Sequence, residues 1–181
     1  MPQCLLECTH CQGQQYRSIE NAALASVLAE GKAQIDCDHC HERKYLKLVP
    51  PQRLSLGVRN QNAQRSVLAI DDDPATLRIL QLMLQPSKYK VETAISADQA
   101  IEKLQEQPFD VIISDIKMPN FDGKTLYRFL LVFLPEYAQK TVFLTGDRSE
   151  NTLTFLRECG CPWTIKPIEL QKLEDCIQQI R

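Results

Sequence analysis

No stretch of this 181-residue chain approaches the 18 or more consecutive apolar residues of a membrane span, so no transmembrane helix is expected. The opening residues, Met-Pro-Gln-Cys, lack the basic and apolar regions of a secretory signal. Neither sign of charge dominates: the formal net charge is −2, which gives no general case for binding nucleic acid or a membrane surface. Together these absences predict a cytoplasmic protein whose thiols stay reduced. Eight cysteines in that setting read as metal ligands or core fillers rather than disulfides. With an ordinary globular composition, the length predicts one full domain plus a small module.

The small module is expected over residues 1–50. It carries Cys8-Thr-His-Cys11 and Cys37-Asp-His-Cys40, two Cys-x-x-Cys pairs separated by 25 residues. Each pair can form a tight knuckle, and four thiolates converging on one ion make the usual closed structural Zn²⁺ site. So short a segment buries too little apolar surface to fold securely alone, and a structural zinc would compensate. Cys4, His10, His39 or His41 could replace one ligand, although solvated or supporting roles fit them better. Between the pairs, Ile19, Ala23, Val27, Leu24 and Leu28 recur at helical spacing and Gly31 is a stop, predicting a helix over 18–30. The module therefore reads as a zinc ribbon or knuckle with an inserted helix rather than a plain pair of hairpins. A strand is expected over 43–49.

Pro50-Pro51 breaks regular structure and starts a linker over 51–65. From residue 43 to 65 there are six basic side chains, no acidic one, and no aromatic beyond Tyr45. A solvated linker suits this pattern better than a nucleic-acid reader, which would interleave aromatics with its cations.

From Ser66 onward, short apolar runs alternate with amphipathic stretches, the pattern of a parallel α/β sheet. The runs are 67–70, 91–94, 109–114, 141–144 and 161–165. Val67 to Ile70 ends abruptly in Asp71, Asp72 and Asp73, and Asp73-Pro74 reads as an N-cap followed by proline at the first helical position. Each of four runs leads into a reactive type: Asp71/Asp72, Asp115, Thr145 and Lys166. A parallel sheet gathers such carboxyl-terminal ends at one edge, where open α/β folds bind ligands. Adjacent carboxylates persist most naturally around a divalent cation. Three carboxylates, a hydroxyl and an ammonium suit phosphoryl transfer to a carboxylate: the acids hold Mg²⁺, one attacks phosphorus, and the hydroxyl and ammonium hold the transferred oxygens.

Residues 66–181 resemble the receiver domain of bacterial two-component response regulators. The matching features are Asp71-Asp72-Asp73-Pro74, Asp115-Ile-Lys-Met-Pro119 with Asp122-Gly123, Thr145-Gly146 and Lys166-Pro167, in family order and spacing. The resemblance implies a flavodoxin-like five-stranded sheet of order 2-1-3-4-5. It implies that Asp115 is the phosphoacceptor, that Asp71, Asp72, Asp115 and the backbone carbonyl of Lys117 bind Mg²⁺, and that Thr145 and Lys166 bind the aspartyl phosphate. Thr145 and Trp163 would be the switch residues, with the bulk of Trp163 restricting its inward swing. Lys117 and Asp147 stand where the family tunes access of water to the phosphoryl group.

The chain is thus expected to act as a phosphorylation switch rather than an enzyme, a phosphoacceptor that assists its own phosphorylation and dephosphorylation. Its implied partners are a sensor histidine kinase or histidine phosphotransfer protein, then a protein effector or a second copy of the chain. Two alternatives are a zinc-module regulator that binds nucleic acid and a phosphorelay intermediate. No segment after Arg181 is left for a DNA-binding effector, so output is expected from the receiver face or the zinc module. In the helix after Gly123, Leu126, Phe129, Leu130 and Phe133 form one apolar face. Tyr127, Leu131 and Leu134 form a second, read either as scattered surface side chains or as a docking face. Cys159, Cys161 and Cys176 read as packing residues.

Overall fold

The computed structural model describes residues 3–8, 10–12, 14–18, 33–36, 40–41, 43–48, 64–85 and 89–180. The N-terminal sheet contains β1 (Gln3–Cys8), β2 (Gln14–Ser18), β3 (Ala33–Asp36) and β4 (Arg43–Leu48), in the antiparallel order β2-β1-β4-β3. β1 and β2 form one hairpin, β3 and β4 another, and Cys8 opposite Leu46 joins them through the two central strands. Since β1 runs antiparallel to β4, the turn after β1 and the turn before β4 lie at the same end of the sheet. Cys8 closes β1, Cys11 lies in the turn after it and Cys40 in the turn before β4. The residue after the second cysteine of each pair, Gln12 (φ 58°) and His41 (φ 53°), adopts the left-handed conformation, so the two turns share one backbone feature at one relative position.

The expected strand over 43–49 is therefore present as β4, and the described strands of the module pair as two hairpins. Polar strands such as Gln14–Ser18 leave no apolar alternation for a sequence pattern to detect. The inserted helix lies outside the described residues, apart from Ser18, which closes β2. Most of the linker lies outside them too. Its last residue, Arg65, starts the second sheet, and its guanidinium donates to the carbonyls of Ile177 and Ile180 at 3.4 and 3.3 Å.

The second sheet is parallel and five-stranded: β5 (Arg65–Ile70), β6 (Tyr89–Ala94), β7 (Val111–Asp115), β8 (Thr141–Thr145) and β9 (Trp163–Ile165). Their order, β6-β5-β7-β8-β9, is the expected 2-1-3-4-5 arrangement. Helices α1 (Pro74–Leu84), α2 (Ala97–Glu106), α3 (Gly123–Phe133), α4 (Pro135–Ala138), α5 (Glu150–Cys159) and α6 (Leu170–Gln178) connect and cover the strands. Strand alternation divides the core between the two faces. Leu68, Ile70, Ile112 and Phe143 pack with α2, α3 and α5, while Val67, Ala69, Ile113 and Leu144 pack with α1 and α6. No helix among the described residues is long and apolar enough to cross a membrane.

Differences from expectation have local causes. α3 breaks at Leu134, whose backbone (φ −140°, ψ 58°) is driven out of the helical region by the following Pro135. The third strand starts at Val111, with Phe109 buried just before it, and reaches Asp115. The proposed second face of α3 does not survive. Tyr127 is buried, edge-on to Phe143 and Phe155 at 5.7 and 6.0 Å, and Leu134 is fully buried. Only Leu131 of those three is exposed, so they form no docking face.

Candidate functional site

Four buried apolar residues carry β5 to its carboxyl end, where the Asp71 amide continues the sheet pairing by donating to Ala94 O at 3.2 Å. Asp71 is thereby fully buried. Its Oδ1 accepts from the Asp73 amide at 3.0 Å and its Oδ2 from Lys166 Nζ at 2.7 Å. Asp72 is exposed. Asp73 caps α1, accepting from the amides of Ala75 and Thr76 at 3.0 and 3.2 Å and from the Thr76 hydroxyl at 2.8 Å. Those bonds, the Thr76 hydroxyl foremost, hold its carboxyl below the usual carboxylate range.

β7 delivers Asp115, also buried. Its Oδ1 accepts from the Ile116 amide at 2.7 Å and its Oδ2 from Lys166 Nζ at 2.9 Å. Lys166 follows β9, and its amide donates to Thr145 O at 2.9 Å, which fixes where the long side chain starts. One ammonium thus bridges two carboxylates from different strands. Burial by itself would depress the Lys166 pKa, but the bonds to Asp71 and Asp115 outweigh it and hold the pKa above the ordinary lysine value. At Asp71 the balance reverses: burial raises its pKa despite the bond from Lys166.

Asp71, Asp72 and Asp115 each offer an oxygen within 4.8 Å of the others. Three carboxylates against one ammonium leave two uncompensated negative charges, and an all-oxygen donor set suits a hard divalent cation. The expected acidic cluster is therefore assembled.

Thr145 is fully buried, and its hydroxyl bonds to the loop that follows it: Oγ1 accepts from the Asp147 amide at 3.0 Å and donates to the Asp147 carbonyl at 3.4 Å. Asp147 is a hub that the sequence reading understated. It accepts from the Ser149 amide and hydroxyl at 2.9 Å each, from the Thr152 hydroxyl at 2.8 Å, and pairs with Lys117 Nζ at 3.3 Å. These donors, the Ser149 amide foremost, hold its carboxyl well below the usual range. The available signal was the Asp-x-Ser spacing, a side-chain turn leading into the N-cap of α5. An open cleft of about 670 Å³ runs beside the cluster, lined by Asp72, Lys117, Asp122, Lys124, Asp147 and Thr152 among others. Trp163 lies on the edge strand β9, 39% exposed. Of the expected zinc ligands, Cys8 ends β1, Cys11 and Cys40 lie in the two hairpin turns, and Cys37 is outside the described residues. His10 and His41 are exposed.

Gly123 holds the loop after Asp115 against β7. Its amide donates to Ile116 O at 2.9 Å, and a Cβ there would run into the Asp115 carbonyl oxygen and come within 2.9 Å of Ile116 Cα. Because the obstacle is backbone, Gly123→Ala is expected to lower the unfolding free energy by about 2 kcal/mol, measured by urea titration. An unchanged midpoint would mean that α3 can shift without cost.

The family model for the response regulator receiver domain matches residues 67–178. Over 117 residues the chain is 32% identical to the two-component response regulator ORR21 of Oryza sativa, covering 63% of this chain and 16% of that protein. Over 116 residues it is 34% identical to the two-component response regulator ARR10 of Arabidopsis thaliana, covering 63% and 21% respectively. The chain therefore spans only about a sixth to a fifth of the length of these relatives. Among solved structures, the chemotaxis protein CheY4 of Vibrio cholerae superposes with a TM-score of 0.57 at 30% identity, covering 66% of this chain and all of that one. The signal receiver domain of a signal transduction histidine kinase from Syntrophus aciditrophicus gives a TM-score of 0.58 at 25% identity, covering 64% and 89%.

Proposed function

This protein belongs to the response regulator receiver family, and from that premise we propose that it is a phosphorylation switch in which Asp115 accepts a phosphoryl group from a sensor histidine kinase or histidine phosphotransfer protein. The observation that carries the reading is the Lys166 ammonium bridging Asp71 and Asp115 beside the exposed Asp72. Asp71, Asp72, Asp115 and the Lys117 carbonyl would hold Mg²⁺, which when bound supplies charge neutralisation for an incoming phosphoryl group. Asp115 contributes the attacking carboxylate oxygen. Lys166, already on that carboxylate, is positioned to follow negative charge onto the transferred oxygens. The Thr145 hydroxyl would leave the Asp147 amide to join it, and that exchange, relayed past Trp163 on the edge strand, would alter the surface offered to an effector. The chain acts on its own aspartate and turns over no separate substrate.

The test is incubation of the full chain with Mg²⁺ and acetyl phosphate, followed by intact mass and peptide mapping. One phosphoryl group on Asp115, lost when EDTA is present, is the expected result. No uptake, or uptake at another residue, would overturn the proposal.

Lys117 and Asp147 pair at 3.3 Å in the lining of the cleft and would slow the approach of water to the phosphoryl group. Lys117 is largely exposed and such pairs are worth about 0–1 kcal/mol, so Lys117→Ala is expected to speed phosphoryl decay by no more than about fivefold. Decay followed by phosphate release at constant Mg²⁺ checks this, and an unchanged rate would remove the pair from the account.

For the N-terminal module we propose a structural Zn²⁺ held by Cys8, Cys11, Cys37 and Cys40. Two hairpin turns at one end of the sheet, with a residue in the left-handed conformation after each second cysteine, support this reading. Four sulfur donors suit zinc better than the hard cation of the acidic cluster. One zinc per chain is expected by metal analysis of protein purified without added chelator, and none for Cys11→Ser combined with Cys40→Ser. Full zinc content in that variant would exclude the cysteine set.

A further inference from the structure

At the opposite edge of the parallel sheet from the acidic cluster, α5 ends at Cys159, the chain turns through Gly160, and Cys161 leads into β9. We propose that Cys159 and Cys161 form a redox-active dithiol that reacts with low-molecular-weight disulfides, closing to a disulfide across Gly160.

The backbone favours closure. Gly160 is left-handed (φ 66°), and a residue of helical curvature draws its two neighbours' Cα atoms to roughly 5.5 Å, within the span that disulfides bridge. No atom lies within 4 Å of where a Cβ of Gly160 would sit, so the turn stands clear of its surroundings. Both cysteines are half-buried and line an open cleft of about 340 Å³ with Tyr127, Gln139 and Gln179, which gives a small thiol compound access. Both side chains pack against the edge of the core, as packing residues would, while their half-buried positions leave them on the cleft. Cys159 Sγ approaches Leu156 O at 3.4 Å, and Cys161 Sγ lies 3.9 and 4.0 Å from the carbonyls of Cys159 and Ala138.

The two thiols also differ in character. A hydrogen bond from the Cys161 thiol favours the Cys159 thiolate, while the same partnership and burial disfavour the Cys161 thiolate. The carboxyl end of α5 opposes an anion there, so the neighbouring S–H is what distinguishes Cys159. Either sulfur can attack with its neighbour resolving, and the S–H beside Cys159 favours the route that starts there. Cys176 makes the contrast: it is buried, its thiol is pushed up by burial, and its sulfur approaches Trp163 O at 3.4 Å, so it packs.

The reaction balances as thiol–disulfide exchange. The Cys159 thiolate attacks one sulfur of RS–SR and expels RS⁻, leaving a mixed disulfide. Cys161 then loses its proton, attacks the Cys159 sulfur and expels a second RS⁻. The two thiolates are protonated by the protons that the cysteines gave up. The protein loses two electrons and the small disulfide gains them.

The test treats the full chain with oxidised glutathione, blocks remaining thiols with N-ethylmaleimide and maps tryptic peptides. Cleavage after Arg157 leaves both sulfurs in one peptide, since the next basic residue is Lys166. The expected result is joint loss of both blocked sulfurs, with the peptide lighter than its dithiol form by one pair of hydrogens and restored by dithiothreitol. Emission from Trp163, the chain's single tryptophan and two residues from Cys161, is expected to fall and recover in step. Cys159→Ser is expected to yield no such peptide. Two sulfurs still blocked in the wild-type chain, or stable glutathione adducts without the internal disulfide, would overturn the proposal.

Discussion

Asp115→Asn is expected to lower the rate of phosphoryl uptake from acetyl phosphate by at least ~10³-fold without unfolding the chain, because a carboxamide is not a nucleophile toward phosphorus. The asparagine carbonyl can still accept from the Ile116 amide, as Asp115 Oδ1 does at 2.7 Å. Its NH₂ would face the Lys166 ammonium, donor against donor, but that ammonium keeps its 2.7 Å bond to Asp71. The substitution also takes one charge from a cluster of three carboxylates that one ammonium does not balance. Two further outcomes follow. Stability without Mg²⁺ is expected to hold or rise, because like charges have been thinned, while stabilisation by added Mg²⁺ weakens. Intact mass after acetyl phosphate treatment and urea titrations with and without Mg²⁺ separate chemistry from folding. Uptake at a normal rate would move the acceptor to Asp71 or Asp72 and sink the assignment of Asp115.

The parallel sheet was legible because its signals are local. The run from Val67 to Ile70 is apolar at successive positions, as a strand covered on both faces requires, and it became β5. Asp73-Pro74 read as a cap and became one, with Asp73 accepting from Ala75 and Thr76. The order of acids, hydroxyl and lysine at strand ends carried the site, since parallel strands present those ends at one edge. What stayed hidden depends on contacts distant in sequence. Tyr127 looked like a second apolar face of α3 because periodicity cannot show Phe143 and Phe155 closing over it. Arg65 looked like linker because its acceptors, Ile177 and Ile180, lie at the far end of the chain. The orientation of the Thr145 hydroxyl follows from the path of the loop through Asp147, which residue types alone do not specify.

Lys166→Ala is expected to lower the unfolding free energy by about 3 kcal/mol at neutral pH without Mg²⁺, toward the lower end for breaking a buried ion pair because the lysine is 25% exposed. The loss comes from what remains. Asp71 and Asp115, almost fully buried, would face each other and Asp72 with no cation between them. The pH dependence identifies this cause. Burial already raises the Asp71 pKa above its ordinary 3.8 with Lys166 present, and removing the ammonium raises it further. A carboxyl whose folded pKa exceeds its unfolded one binds protons more tightly when folded. The folded state is therefore favoured below the ordinary carboxylate pKa, and that advantage is lost as pH rises through the raised folded value. Lys166 itself has a raised folded pKa, so its contribution is complete below the ordinary lysine value of 10.5 and lost as pH rises through the folded one. The difference between wild type and variant is thus expected to be full across neutral pH, to shrink toward about pH 4 as Asp71 protonates, and to shrink again in strong alkali. At neutral pH, millimolar Mg²⁺ is expected to narrow it as well, since a divalent cation replaces the missing charge and binds only the folded arrangement of carboxylates. Urea titrations across this range, with and without Mg²⁺, decide the matter. A difference that widened in acid, or ignored Mg²⁺, would mean that Lys166 stabilises the fold through packing of its alkyl stem and not through the two aspartates.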